Sequence, residues 1–276
     1  MPTHDGLTYD GVLTHRITVA RPPHAVYDLV ADPGQAARPA GGVVHAERVA
    51  RHDGGDVIRR WVAEKGAIRS WTARRELDPD AGRIVFEHDP PKPPLSAMRG
   101  EWRFTEAGPG TTLVELRHDW AGPAPAERLD QGIRAQLDAL KYLAERDADL
   151  TACEFLQGRI RIVPGRLEDV AGRPGRTLVD GAHARVWPAG DRLVWRQIGD
   201  LPPLYRSLRG QAVLTQVPGG VLVETRRIDV LDPDAVRDRG WDAARALRHV
   251  TETRNEHDID PRRDFAAARP AEGALR

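Results

Sequence analysis

Four residues that alternate along one short segment are the first candidates for chemistry. In the predicted strand 67–77, period-two alternation places Arg69, Trp71, Ala73 and Arg75 on the same face. A fixed guanidinium on such a face could polarise a carbonyl group and stabilise negative charge on its oxygen. The alternatives are that the arginines face solvent and that Trp71 is an ordinary core residue.

His118 is the second candidate, and it lies on the predicted strand 112–120. The other members of its alternating set, Val114, Leu116 and Trp120, are apolar, so we expect His118 to face inward. A neutral imidazole in that position could accept or donate a proton. A lone histidine on an apolar face can equally be a satisfied core residue, and the sequence leaves both interpretations open.

Composition excludes several other classes of protein. The 41 basic and 41 acidic residues cancel, so no broad electrostatic field would draw nucleic acid or an anionic membrane to the chain. Cys153 is the single cysteine, which rules out an internal disulfide and a cysteine-based zinc site. We found no signal-like segment, no apolar run long enough to span a bilayer, and no phosphate-binding or hydrolase motif. We therefore expect a cytoplasmic protein that binds neither nucleic acid nor membrane.

An internal repeat organises the chain. Pro93-Pro94-Leu95 recurs 109 residues later as Pro202-Pro203-Leu204, and Arg99-Gly100 recurs 110 residues later as Arg209-Gly210. The segments 110–119 and 219–229 are also similar. Blocks in the same order at nearly constant spacing indicate a duplicated unit. At a spacing of 109, Ala184 takes the position of Arg75.

Each copy is predicted to contain antiparallel strands followed by a helix. The candidate strands of the first copy are 14–20, 43–51, 56–64, 67–77, 83–88, 101–105 and 112–120. A short helix is predicted over 22–30, and a long one after Pro125, where apolar residues recur every three or four positions. A similar long helix is predicted to end the second copy, between Val236 and Val250. The second copy has a shorter opening, so we expect it to lack the short helices and at least one strand.

This order of elements resembles the helix-grip fold of START and Bet v 1-like domains. More narrowly, the chain resembles the two-domain polyketide aromatase/cyclases, through segments 26–32, 71–75 and 98–102 and the final helices. The resemblance implies an α+β protein of two helix-grip units, each an antiparallel curved sheet wrapped on a long C-terminal helix. We assign a complete domain with a ligand cavity to 12–148, an abbreviated repeat to 154–255, and a polar tail, expected to be disordered, to 256–276.

The resemblance also implies site residues. Arg75 matches the family's interior arginine and becomes the preferred catalytic cation, with His118 as the base or proton donor. Ala73 stands where the family has a serine, so a role of that hydroxyl is lost here. We expect Arg75→Ala to abolish correct closure of the first ring, to leave products of spontaneous cyclisation, and to change stability little. The residues expected to contact substrate are Trp71, Arg69, Trp102, Trp120 and Tyr27.

The function implied is regiospecific aldol cyclisation and dehydration of the first ring of a poly-β-ketone in bacterial type II polyketide (antibiotic) biosynthesis. The expected partners are an acyl carrier protein that holds the chain, a ketosynthase and a ketoreductase. No cofactor is expected, because protons between two carbonyls are already acidic. Two alternatives remain open from the sequence: a non-catalytic carrier of lipids or other hydrophobic ligands, and a scaffold subunit with a collapsed cavity.

Overall fold

The structure is a computed structural model that describes residues 9–37, 42–91, 93–123 and 126–253. The chain divides into two compact units, formed in this part of the chain by residues 9–62 with 69–147 and by residues 63–68 with 148–253. The predicted tail, 256–276, lies outside the described residues. We keep 12–148 and 154–255 as proposed domain limits. Within these ranges no helix is long and apolar enough to cross a membrane.

The first unit contains a seven-stranded antiparallel sheet. Its strands are β1 (Gly11–Val19), β2 (Val43–His52), β3 (Gly55–Glu64), β4 (Ala67–Asp78), β5 (Arg83–His88), β6 (Ala97–Gly108) and β7 (Thr111–Ala121). The order across the sheet is β1-β7-β6-β5-β4-β3-β2, so consecutive strands pair except where β1 closes against β7. Tight turns connect the hairpins. At the β3–β4 turn, Lys65 and Gly66 both have positive φ, which matches the right-handed twist of the flanking strands.

Two helices cover one face of this sheet. Helix α1 (Pro23–Ala31) is followed by a 3₁₀ turn at Pro33–Ala37, and the long helix α2 spans Ala126–Ala152. The apolar stripe of α2 packs against β6 and β7, which is the arrangement predicted for the first copy. The buried cluster between helices and sheet includes Ile133, Leu137, Leu140 and Ala144 of α2, Val26 and Tyr27 of α1, and Trp102, Phe104, Val114 and Leu116 of the sheet. We call this side of the sheet its inner face.

The second unit contains a six-stranded antiparallel sheet with the order β8-β13-β12-β11-β10-β9. Its strands are β8 (Glu154–Val163), β9 (Thr177–Asp180), β10 (His183–Ala189), β11 (Arg192–Gln197), β12 (Tyr205–Val217) and β13 (Gly220–Leu231). A four-residue helix, α3 (Leu167–Val170), stands where the first unit has α1 and its 3₁₀ turn. The predicted loss of one strand is therefore seen, but the opening still keeps one helical turn.

The predicted final helix of the second unit was wrong as a single element. The structure has two, α4 (Pro233–Asp238) and α5 (Ala243–Thr253). Asp232 caps α4 by accepting from the backbone N–H of Asp234 and Ala235. Gly240, at φ +66°, ends that helix, since glycine adopts the left-handed conformation without a Cβ clash. A new helix then starts at Ala243.

The register of the two sheets corrects the predicted alignment of the copies. In the first unit Phe86 pairs with both Arg75 and Gly100, and Gly100 pairs with His118. In the second unit the corresponding row is Arg185, Trp195, Gly210 and Arg227. Arg185, and not Ala184, therefore takes the position of Arg75. The sequence offset alternates between 109 and 110, and a one-residue error moves a side chain to the opposite face.

Candidate functional site

A row of side chains crosses the inner face of the first sheet between its two buried clusters. Arg75 on β4, Phe86 on β5, Gly100 on β6 and His118 on β7 are direct cross-strand neighbours. A Cβ at Gly100 would overlap the ring of Phe86 and the carbonyl oxygen of Arg117. The glycine therefore lets the Phe86 ring lie flat across β6 and reach His118.

Aromatic rings line this part of the inner face. The ring centroids of Trp71 and His88 are 5.8 Å apart, those of His88 and Phe86 are 6.0 Å apart, and those of Phe86 and His118 are 5.3 Å apart. The Phe86–His118 pair meets edge to face. Such a line of rings gives an apolar, polarisable surface against which an organic ligand can pack.

His118 is enclosed but lacks a hydrogen bond at one nitrogen. Its side chain is on the inner face as predicted, with 5% of the residue exposed, and its Nδ1 atom has no partner among the described residues. Burial, together with the charge of nearby His15, lowers the pKa of His118 to about 4, against a smaller opposing effect of Asp119. His118 is therefore neutral at pH 7, with a buried polar atom left for another group.

His15 connects this region to the long helix. It lies on β1 opposite Leu116 and is itself buried. Its Nε2 atom donates to Oδ1 of Asp130 on α2, at 2.6 Å. This bond holds His15 near His118, where a protonated His15 would disfavour a second positive charge.

Arg75 is buried, with 4% of the residue exposed, and most of its donors are already occupied. Its Nε and Nη2 atoms donate to the two oxygens of Asp56, each at 2.8 Å. Nη2 also donates to the carbonyl of Ala31, and Nη1 donates to that of Val30. Four of its five N–H groups thus bind the sheet and the end of α1, leaving one on Nη1.

These contacts argue against the expectation that Arg75 could be removed with little effect on stability. Asp56 is 1% exposed, and loss of Arg75 would leave most of that charge uncompensated. Burial alone would raise the pKa of Asp56, but hydrogen bonds from Arg75 and Arg48 outweigh it and hold the pKa below its usual value. The alternation pattern of β4 could not reveal this pairing, because Asp56 is nineteen residues away on another strand.

Two further arginines share this side of the sheet, and the sequence analysis missed both. Arg48 on β2 donates from Nε to Asp56 at 2.7 Å. Arg60 follows Asp56 and Ile58 at steps of two along β3, so it lies on the same inner face. The Nε atom of Arg60 is enclosed and has no hydrogen-bond partner in the described part of the chain. Burial, and next the charge of Arg75, lower the pKa of Arg60 to about 10.

The other predicted binding residues lie in different places: some at the line of rings or exposed, some in the main buried cluster, and Trp120 in a separate cluster. Trp71 is half-buried at one end of the line of rings, whereas Arg69 is exposed. Tyr27 and Trp102 are buried in the main cluster, where both pack on Phe104, with centroid distances of 5.7 and 6.1 Å.

Trp120 lies in a separate cluster with Leu95 and Met98, beside Leu129 near the start of α2. This cluster and the main one border the row that contains His118. In the described ranges, no group of three or more His, Cys, Asp or Glu side chains is placed to hold a metal ion.

The second unit repeats the row with different chemistry. Arg227 stands in the position of His118, donates to the buried Asp229, and has its guanidinium 5.7 Å from the centre of the Trp195 ring. Arg185 donates to Asp180. A Cβ at Gly210 would come within 2.6 Å of Trp195. The glycine that gives the ring room is thus present in both units, but the imidazole is present only in the first.

Comparisons with known proteins agree with this architecture. The family described as polyketide cyclase / dehydrase and lipid transport matches residues 11–145. A granaticin polyketide synthase bifunctional cyclase/dehydratase of Streptomyces violaceoruber is 35% identical over 266 residues, covering 80% of this chain and 82% of that protein. The actinorhodin polyketide synthase bifunctional cyclase/dehydratase of Streptomyces coelicolor is 34% identical over 140 residues, 49% of this chain but only 44% of that protein.

Solved structures confirm the predicted fold class. The di-domain ARO/CYC StfQ of the steffimycin pathway superposes with a TM-score of 0.72 at 23% identity, over 87% of this chain and 92% of that one. The di-domain ARO/CYC BexL of the BE-7585A pathway gives 0.70 at 22% identity, over 94% and 100%. At these identities the structures establish the fold of two helix-grip units. The granaticin relative, similar over most of both chains, shows in addition that this protein belongs to the family of polyketide synthase cyclase/dehydratases.

Proposed function

We propose that the protein catalyses regiospecific aldol cyclisation and dehydration of the first ring of a carrier-protein-tethered poly-β-ketone. The observation that carries this proposal is His118, a buried neutral histidine with an unpartnered nitrogen at the end of a line of rings. Membership of the cyclase/dehydratase family supplies the reaction class.

The reaction needs a base, a cation and a surface that folds the chain. The base removes a proton from a methylene between two carbonyls, and the electron pair becomes an enolate. The enolate carbon attacks a more distant carbonyl carbon, forming the C–C bond, and the resulting alkoxide takes up a proton. Loss of that hydroxyl with a neighbouring proton then releases one water and leaves a C=C bond in the ring.

His118 suits the first step better as a neutral base than as a cationic acid. With a pKa of about 4, only about one molecule in a thousand carries a protonated His118 at pH 7. Each pKa unit by which the carbon acid exceeds its base costs about 1.4 kcal/mol, so a base this weak requires a cation beside the developing enolate. The inner face provides such cations.

The predicted residues keep the following proposed roles. Arg75 offers its remaining Nη1 N–H to a substrate oxygen while it holds α1 on the sheet. Trp71, with the neighbouring rings, packs against the poly-β-ketone chain. Tyr27, Trp102 and Trp120 shape the apolar walls, and the exposed Arg69 would contact only the outer part of the bound chain.

The remaining parts of the proposal concern partners and place. An acyl carrier protein presents the substrate, a ketosynthase makes it, and a ketoreductase reduces it before ring closure. We also propose that the protein acts in the cytoplasm. The support for these proposals is the family to which the chain belongs.

The test is reconstitution with a ketosynthase, carrier protein and ketoreductase, followed by product profiling. His118→Gln should shift the products toward those of spontaneous cyclisation, because the amide cannot accept the proton. His24→Gln, which changes an exposed histidine of α1, is the matched control and should leave the products unchanged. Identical products from wild type and His118→Gln would contradict the role of His118. If omission of the whole protein also changed nothing, the carrier alternative would replace the enzyme.

A further inference from the structure

Arg60 differs from the other interior arginines of the first unit because its charge is not matched. Arg75 and Arg48 both donate to Asp56, whereas no hydrogen bond or ion pair joins Arg60 to any described residue. Two of the three guanidinium groups on this side of the sheet thus bind one carboxylate, and that of Arg60 binds no described carboxylate. The surplus of positive charge is largest at Arg60, which has no carboxylate of its own.

An unmatched positive charge in this position does not stabilise the fold. Arg60 is half-buried with an enclosed, unpartnered Nε, so its guanidinium loses part of its hydration, and the neighbouring Arg75 repels it, as the lowered pKa of Arg60 also indicates. Arg59 also has an enclosed Nε without a partner, but Arg60 has in addition the charge of Arg75 beside it, and a ligand of opposite charge would relieve that repulsion. The ligand must be anionic and must reach the inner face beside Arg75.

We propose that Arg60 binds the enolate oxygen of the β-dicarbonyl substrate and is the main cation for that charge in the first unit. The inference rests on the proposed function and deepens it. Arg75 has one N–H left for substrate, whereas the Nε of Arg60 has no partner among the described residues, so Arg60 can bind an anion with two parallel hydrogen bonds from Nε and a neighbouring Nη. Arg75 then acts mainly by positioning, through Asp56 and the end of α1.

The experiment measures binding without turnover, by titration calorimetry at pH 7.5. The anionic probe is 2-acetyl-1,3-cyclohexanedione, which is an enolate at this pH, and the neutral probe is 2-acetylcyclohexanone. Arg60→Gln should weaken binding of the enolate by about tenfold or more, since hydrogen bonds to a charged group are lost, and leave the neutral probe unchanged. Arg60→Lys, which keeps the charge, should lose less.

The matched control is Arg59→Gln. Arg59 is next to Arg60 but points to the opposite face, with its guanidinium 5.2 Å from the centre of the Trp61 ring. This variant should bind both probes like wild type. The melting temperature of Arg60→Gln should be unchanged or higher, because an unmatched charge is removed, whereas a structural arginine would lower it on removal.

Equal affinity of wild type and Arg60→Gln for the enolate would overturn the proposal. It would also be overturned if Arg60→Gln lost affinity only for 4′-phosphopantetheine, since the site would then bind the phosphate of the carrier arm. Neither outcome depends on cyclase activity. A protein that binds the enolate through Arg60 but fails in the reconstitution would keep this inference and lose the proposed function.

Discussion

Replacement of Arg75 by methionine should destabilise the first unit by about 3–5 kcal/mol, the usual cost of removing one partner from a buried ion pair. Methionine fills similar space, so the loss of stability comes mainly from the buried charge of Asp56. That carboxylate is 1% exposed and would keep only its bond to Arg48. The contacts of Arg75 with the carbonyls of Val30 and Ala31 are lost as well. Urea unfolding followed by tryptophan fluorescence measures the change.

Two further variants separate the buried charge from general disruption. Arg48→Met removes a donor from the same carboxylate, but the Arg48 side chain is 29% exposed and makes one of the bonds, so we expect a cost of about 1 kcal/mol. Asp56→Asn combined with Arg75→Met should recover part of the loss, because the carboxylate left without Arg75 is no longer charged. With Asp56→Asn measured alone, the difference between the double variant and the sum of Asp56→Asn and Arg75→Met gives the coupling energy of the pair.

The pH dependence of the stability difference between wild type and Arg75→Met tests the same reasoning independently. In wild type the pKa of Asp56 is lowered, so its stabilising contribution is present above the unfolded pKa of about 3.9 and is lost as pH falls below it. In Arg75→Met the hydrogen bonds from Arg75 are absent, so only Arg48 opposes the effect of burial. The pKa of Asp56 is therefore higher than in wild type. The gap in stability between the two proteins should therefore narrow as pH falls from 7 toward 4. A gap below about 1 kcal/mol at pH 7, or one that is constant with pH, would refute the reasoning.

Further predictions concern packing and the single thiol. Gly100→Ala should destabilise the first unit by about 1–3 kcal/mol in urea unfolding, because the new methyl group overlaps Phe86 and backbone. Gly210→Ala should act similarly on the second unit through Trp195, and a neutral effect at both positions would contradict the packing described. Cys153 is buried, and burial raises its pKa, so it should react slowly with a thiol reagent at pH 8 until the protein unfolds. Rapid reaction in the native protein would show that Cys153 is accessible.

The sequence was sufficient for the order of the elements and for much of the inner face. Alternation places His118 among apolar residues, and the repeat indicates two related units. Both signals are local, because strand periodicity and turn residues act over a few positions. The apolar periodicity on either side of Gly240 predicts one continuous final helix in the second unit. The glycine instead separates two helices, and the periodicity alone does not show this.

The tertiary structure decided which charged side chains pair with each other. The sequence by itself determined two helix-grip units, a strand carrying Arg75 and an inward His118. It did not determine that Asp56 would accept hydrogen bonds from Arg75, or that Arg60 would lack a carboxylate among the described residues. It also did not determine that Arg185 would be the counterpart of Arg75 in the second unit. These facts depend on the register between strands far apart in sequence. A register error of one residue reverses the face of every side chain, and spacing along one chain does not fix it.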